Sequence, residues 1–241
     1  MASAAKIAII AALRREIDEL VSGQTVQMRY FQGVRSPTYV VGRVSFTCAG
    51  IGCGAATRAA DALIQELQPE LIVSVGFAGA VDPALDIGSI VTPSIVIDSR
   101  SGQTFSTARG KGVLVSAVRM ADAAEKVLLR QRYAALAVDM EAAGVAERAH
   151  YHGIPFLAVK SVSDTAHTTL PDFTRFVLED GSFATTSFLF YLIFHPTLWP
   201  AVRKLAADSA TAARNLATSL GEFLADTSHA RSTSGQVLNS R

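Results

Sequence analysis

The sequence predicts an α/β protein: a single domain with a mixed central β-sheet flanked by helices. Three observations carry that expectation. Short β-branched runs alternate with helical stretches from residue 6 to 164, the pattern of strands joined by crossover helices. Hydrophobic residues fill 49% of the 241 positions and charged residues 18%, which suffices for one large core. No internal repeat or interdomain linker interrupts the chain. The domain is assigned to residues 1–225, and the polar, serine-containing stretch 226–241 reads as a disordered tail.

The elements follow in order. "KIAIIAA" (6–12) is a short β-branched strand, and "YVVGRVSFTCAG" (39–50) is a second strand region. "GIGCG" (50–54) holds too much glycine for helix or strand and reads as a turn. Residues 55–67 form a helix with Ala59, Leu63 and Leu67 on one face. "ELIVSVG" after Pro69, "GSIVTPSIVID" and "KGVLVS" are strands. A helix over 122–133, a strand over 135–140, a helix over 141–153 and a strand over 155–164 complete the alternation. The stretch 183–200, "FATTSFLFYLIFHPTLWP", is dense in large apolar side chains. Its uninterrupted part, 188–194, is too short to span a bilayer, and His195-Pro196 ends it. It reads as a core helix, with a surface for a lipid tail or a membrane as the competing reading. Residues 202–225 form an amphipathic helix, with Leu205, Ala212, Leu216, Leu220 and Phe223 near one face.

Composition excludes several function classes. The net charge of +1 without a basic stripe gives no reason to expect nucleic acid. Cys48 and Cys53 fit neither a zinc spacing nor a disulfide framework and read as small core residues. His150 and His152, two apart on a helix, do not share a face. No metal and no cofactor is therefore expected. The apolar run near the N-terminus is short and meets charge at once, unlike a secretory signal. A cytoplasmic protein is expected, with peripheral membrane contact and homo-oligomerisation left open.

Three acids stand at strand ends: Glu16, Glu141 and Asp164. In an open α/β sheet the ligand crevice lies beyond the carboxyl ends of the strands, so these acids can meet there. Taken singly, each has an ordinary explanation. Glu16 and Glu141 suit the first turn of a helix, and Asp164 suits a cap or turn. The glycine-rich segments "AGIGCG" and "VGFAGAV" let backbone approach a ligand closely.

The motifs "KIAIIAALRREI", "AGIGCGAATRAADALI", "IVSVGFAGAV", "GSIV" and "VDMEAAGVAERAHYHGIPFLAVKSVSD" occur in an order that resembles the purine nucleoside phosphorylase / methylthioadenosine–adenosylhomocysteine nucleosidase superfamily. The resemblance covers roughly residues 6–164, and its last motif is the specific one. "SVSDTA…LPDFTRFV" and "PTLWP" are similar to the branch associated with hopanoid lipid biosynthesis, where an adenosyl-hopane loses adenine. The resemblance implies a nucleoside phosphorylase-like fold and an adenine nucleoside as substrate, lipid-linked in the hopanoid branch. It implies that Glu141 grips the ribose hydroxyls with Met140 under the sugar, and that Gly52 and Phe77 complete the binding set. Asp164 would be the acid that protonates purine N7. Glu16 would activate water on the opposite face, as acid and base flank the bond in glycoside hydrolysis. Asp139 would be structural.

The chain departs from the superfamily's pattern in two places. The phosphorylases carry an arginine and a serine or threonine around the segment that here reads "VSVGFAG", with Ser74 and Phe77. Phosphate needs charge-assisted donors, so water is the expected nucleophile. Arg14, Arg15, Arg43 and Arg58 keep a phosphate-dependent phosphorylase as the alternative. The segment between 98 and 111 is shorter than in the nucleosidases, which opens the 5′ side and removes a subunit contact. A non-catalytic nucleoside- or lipid-binding relative is the alternative of another class. Retention of all three acids favours the catalyst.

Overall fold

The computed structural model describes residues 7–168, 174–184, 187, 188, 191, 192 and 194–237. Eleven strands form one mixed sheet. They are β1 Ile7–Ala11, β2 Gln27–Phe31, β3 Val34–Val41, β4 Val44–Cys48, β5 Leu71–Ala80 and β6 Ile90–Val91, then β7 Ile95–Asp98, β8 Thr104–Ser106, β9 Val113–Ser116, β10 Ala135–Asp139 and β11 Phe156–Asp164. The order is β2-β3-β4-β1-β5-β10-β9-β7-β8, and β11 pairs with β5 and with β6. Helices α1 Cys53–Leu67 and α3 Ala142–Tyr151 pack on each other, α2 is Ala123–Tyr133, and α4 is Trp199–Val237. Among the described residues no helix is long and apolar enough to cross a membrane.

The predicted alternation holds, with two corrections. The single strand region over 39–50 is two strands of a hairpin, the end of β3 and the whole of β4. β3 and β4 run antiparallel around Gly42, whose φ of +58° suits the turn. β2 pairs with β3 at the sheet edge and shows a mostly exposed face, so it lacks the apolar run that marks a buried strand. Of the apolar stretch 183–200, residues 185, 186, 189, 190 and 193 lie outside the described residues. Phe188 and Tyr191 are half-buried and Phe194 is exposed.

Two cores sandwich the sheet. On one face Ala56, Leu63, Val145 and Ala149 of α1 and α3 meet Ala8, Ile72 and Ala158. On the other, Leu216, Leu220 and Phe223 of α4 cover Ile9, Val73 and Val159, as the amphipathic pattern predicts. A smaller cluster under α2 joins Val81, Val115 and Val138 to Leu129 and Tyr133. β5 organises the site. β1 runs parallel beside its first residues, β11 runs parallel along Ile72–Gly79, and β10 pairs antiparallel at Gly79 and Ala80. The carboxyl ends of β1, β10 and β11 thus converge on the second half of β5.

Candidate active site

Each predicted acid follows one of those strand ends. Glu16 closes a single 3-10 turn, Arg14–Glu16, just past β1. Glu141 is the N-cap of α3, two residues past β10, and Asp164 is the last residue of β11. All three line one cavity of about 170 Å³, together with Phe77 and Met140.

Glu16 is buried and held by backbone. Its Oε2 accepts the N–H groups of Ala12 (2.8 Å) and Leu13 (3.0 Å), and its Oε1 accepts that of Phe77 (3.3 Å). Burial pushes this carboxyl up. The Leu13 N–H, the Lys160 ammonium and the Phe77 N–H pull against it without cancelling the rise. Gly76 makes the close approach possible. Its φ is +139°, and a Cβ there would stand 2.9 Å from Glu16 Oε2. The glycines of β5 thus make room for acids.

The carboxylates of "VDMEAAG" divide their work. Asp139 is the structural one. Its Oδ1 accepts from Ser116 Oγ (2.6 Å) and its Oδ2 from the Ala142 N–H (2.9 Å). Ser116 Oγ in turn accepts the Ala143 N–H at 2.9 Å. The first turn of α3 is capped from outside, so Glu141 carries no capping bond from its own helix and faces the cavity. Its Oε1 accepts the Gly52 N–H at 2.8 Å. Burial first, then the neighbouring Asp139, pushes Glu141 up to about 7, despite the opposing pull of Lys160.

Lys160 lies at the centre of this charge. It is fully buried in β11. Its Nζ donates to Asp139 Oδ2 (2.8 Å), Ser74 Oγ (3.0 Å) and the Val75 carbonyl (3.4 Å). Burial alone would lower a lysine. Asp139, Glu141 and Glu16 together reverse that and hold Lys160 above its ordinary value.

Asp164 has a cation of its own. Lys126 from α2 donates to its Oδ2 in a buried ion pair. Ser163 Oγ donates to its Oδ1 at 3.1 Å. A Cβ on Gly79 would stand 2.9 Å from Asp164 Oδ2, so the second glycine of β5 clears space for the second acid.

Of the residues predicted from sequence, Glu16, Phe77, Met140, Glu141 and Asp164 line the cavity. Gly52 stands behind Glu141 and spends its N–H on that carboxylate. Sequence reasoning missed Lys160 and Lys126. Lys160 left a signal, as the one charge inside "FLAVKSVS". Lys126 left none, since α2 reads as an ordinary polar helix. Among the described residues no three His, Cys, Asp or Glu side chains are placed so that they could hold a metal ion together.

The chain matches the family described as the Phosphorylase superfamily over residues 6–123 and 105–187. It belongs to that superfamily. It is 25% identical over 217 residues to 5′-methylthioadenosine/S-adenosylhomocysteine nucleosidase of Shewanella baltica (strain OS185), covering 73% of this chain and 91% of the relative. Its fold is similar to native futalosine hydrolase of Helicobacter pylori strain 26695, with a TM-score of 0.68, 18% identity and coverage of 91% and 97% of the two chains. It is also similar to the nucleosidase of Colwellia psychrerythraea 34H in complex with adenine, with a TM-score of 0.58, 23% identity and coverage of 67% and 83%.

This superfamily member has a second cavity, of about 440 Å³, beside the first. Leu13, Arg15, Ile51, Met120, Met140 and Leu205 border both. Beyond them the walls are Arg14 and the apolar Val177, Phe183, Phe188, Val202 and Ala206. The aromatic run over 183–200 therefore contributes to a cavity wall as well as to packing. Phe176 gathers Phe183, Phe188 and Tyr191 at ring-centroid distances of 6.2, 5.4 and 5.4 Å.

Proposed function

We propose that this chain hydrolyses the N-glycosidic bond of a 5′-substituted adenosine and releases adenine. The observation that carries this reading is the meeting of Glu16, Glu141 and Asp164 around one cavity from three distant strand ends. Asp164 gives a proton to purine N7 as the bond breaks, because adenine leaves poorly as an anion. Glu141 holds the ribose hydroxyls, and its negative charge stabilises the cation-like sugar. Glu16 takes a proton from the attacking water. The relatives' names, a methylthioadenosine/adenosylhomocysteine nucleosidase and a futalosine hydrolase, support nucleoside cleavage. A non-catalytic binding relative has no use for a buried base such as Glu16.

Water is favoured over phosphate because Ser74 is buried and bonded to Lys160, out of reach as a phosphate donor. Arg14 and Arg119 are paired with Asp18 and Glu125. Arg15, with its guanidinium 5.3 Å from the Phe77 ring centre and on the cavity wall, is what favours the phosphorylase reading. The experiment is incubation with methylthioadenosine with and without phosphate, scoring adenine, free sugar and sugar 1-phosphate. Strict dependence on phosphate overturns the hydrolase reading, and no adenine under either condition overturns both.

The second cavity supports an apolar 5′ group, and with it the hopanoid branch, whose substrate would be an adenosine linked to a polycyclic lipid. Exposed Leu178, Phe194 and Trp199 support peripheral contact with a membrane that holds such a lipid. Across 5′-alkylthio adenosines from methyl to octyl, each buried methylene should contribute up to about 0.8 kcal/mol until the cavity is full. Efficiency that is flat or falls from methyl onward removes the lipid reading.

A further inference from the structure

We propose that Lys160 is a positioning residue for Glu141 and Glu16: it holds Glu141 in place through Asp139, and its charge favours the ionised form of both acids. This rests on the roles given to Glu141 and Glu16 above. Lys160 is fully buried in β11, a strand of nine residues that are all buried. The strand has other anchors: it runs parallel to β5 from Phe156 to Asp164 and pairs with β6. A buried ion pair is a weak source of stability, since apolar replacements often do as well. Fastening β11 within the sheet thus does not call for a lysine here.

The geometry ties Lys160 to both acids. Its Nζ donates to Asp139 Oδ2 at 2.8 Å, and the same oxygen accepts the Ala142 N–H at 2.9 Å. Asp139 Oδ1 is held in turn by Ser116 Oγ at 2.6 Å. Glu141 lies between Asp139 and Ala142 in the chain, so the backbone on either side of it is tied to one carboxylate, and that carboxylate to Lys160. On β5 the register partner of Lys160 is Gly76, the glycine against which the Glu16 carboxylate stands. One ammonium thus serves acids from two strand ends, Glu16 after β1 and Glu141 after β10. Burial pushes both carboxyls up, and Lys160 pulls both down; Asp139 adds to the rise of Glu141, and Arg15 helps to lower Glu16. Of the other charges lining the cavity, Lys126 is paired with Asp164 and Arg119 with Glu125. Both acids act as anions, Glu16 on the attacking water and Glu141 on the sugar. The fraction of molecules with both ionised therefore limits the rate on the acid side, and Lys160 enlarges that fraction.

The test is the pH dependence of kcat/KM for methylthioadenosine, measured on the full chain as wild type, Lys160→Gln and Asp139→Asn. Wild-type release of adenine is the first readout, and its absence counts against the proposed function and not against Lys160. The rising limb should stand at about pH 7 in the wild type. Lys160→Gln keeps a donor for Asp139 and loses the charge. Its limb should move up by about one pH unit, a loss of about tenfold on the acid side that is recovered at alkaline pH. In Asp139→Asn the limb should stay or move down, because the charge removed is one that pushes Glu141 up. Both substitutions break the same ion pair, so a merely structural pair would lower turnover at every pH and leave both limbs in place. An unmoved or lowered limb in Lys160→Gln overturns the proposal, as does an equal upward move in both variants. Should Lys160→Gln fail to fold, it is made in the Asp139→Asn background, where it strips no buried carboxylate of its direct partner. The limb of that double variant should lie above the limb of Asp139→Asn alone, and coincident limbs overturn the proposal.

Discussion

Glu141→Gln should make the protein more stable at alkaline pH while removing its activity. Glu141 sits at about 7 against an ordinary 4.5, because burial and the Asp139 charge disfavour its ionised form. In the unfolded chain the carboxyl titrates at its ordinary value. Its contribution to stability is therefore fully present below about pH 4.5, declines as pH rises through about 7, and is level above that. A displacement of this size corresponds to roughly 3 kcal/mol between the two limits. Glu141 keeps partial contact with solvent, which screens part of it, so about 2 kcal/mol is expected. Glutamine keeps an acceptor for the Gly52 N–H but carries no charge to desolvate. Urea unfolding of both proteins at pH 4.5, 6, 7.5 and 9 is the assay (roughly spanning the window set by linkage). The stability difference, variant minus wild type, should grow by about 2 kcal/mol across that range. Parallel profiles would show that Glu141 is not held up by its surroundings, and the account of the site's charge would fail with it.

Other outcomes follow from the same geometry. Glu141 and Glu16 must both be ionised to act, and both are pushed up, so kcat/KM should climb through about pH 7; a profile level from pH 5 to 8 (about the carboxylate-to-histidine range) would contradict it. Asp164→Asn should lower adenine release by about 100- to 10,000-fold while thermal unfolding stays cooperative. Gly79→Ala needs no strained backbone, yet its Cβ meets Asp164 Oδ2 at 2.9 Å; the displaced acid should cost on the order of 100-fold in turnover, checked by steady-state kinetics. Lys160→Met leaves its buried carboxylates uncompensated and should destabilise by about 3–5 kcal/mol in denaturant titration.

The alternation of strand and helix was legible because buried strands such as β5 and β11 are near-continuous apolar runs. Edge strand β2 was not, since a half-exposed strand carries no such run. The acids were legible for a related reason. A carboxylate directly after a buried strand has few places to go except a cap or a crevice, and Asp139 and Glu141 turn out to take one each. What the sequence hid is tertiary. Which residue of α2 faces inward depends on how that helix lies over β10, and its sequence has no apolar stripe to mark the face. The roles of Gly76 and Gly79 were also hidden. Both read as backbone freedom for a ligand, while each stands where a Cβ would strike a carboxylate.

The charge balance of the site bears on the proposed chemistry. Three carboxyl groups, the buried Glu16 and Asp139 and the half-buried Glu141, share the field of one buried ammonium, Lys160. Asp139 takes the direct contact with it, and the other two are pushed up, Glu16 by burial and Glu141 by burial and then the Asp139 charge. A neutral nucleoside entering the cavity does not change this balance. A sugar that develops positive charge as its base departs does, because it supplies the cation the resting site lacks. The attraction is then greater in the transition state than in the ground state, which is the condition for accelerating the chemical step instead of merely tightening binding. A fully compensated site, with a second lysine beside Glu141, would fold more easily and catalyse less. On this view the undercompensated charge is a cost in stability that the reaction recovers.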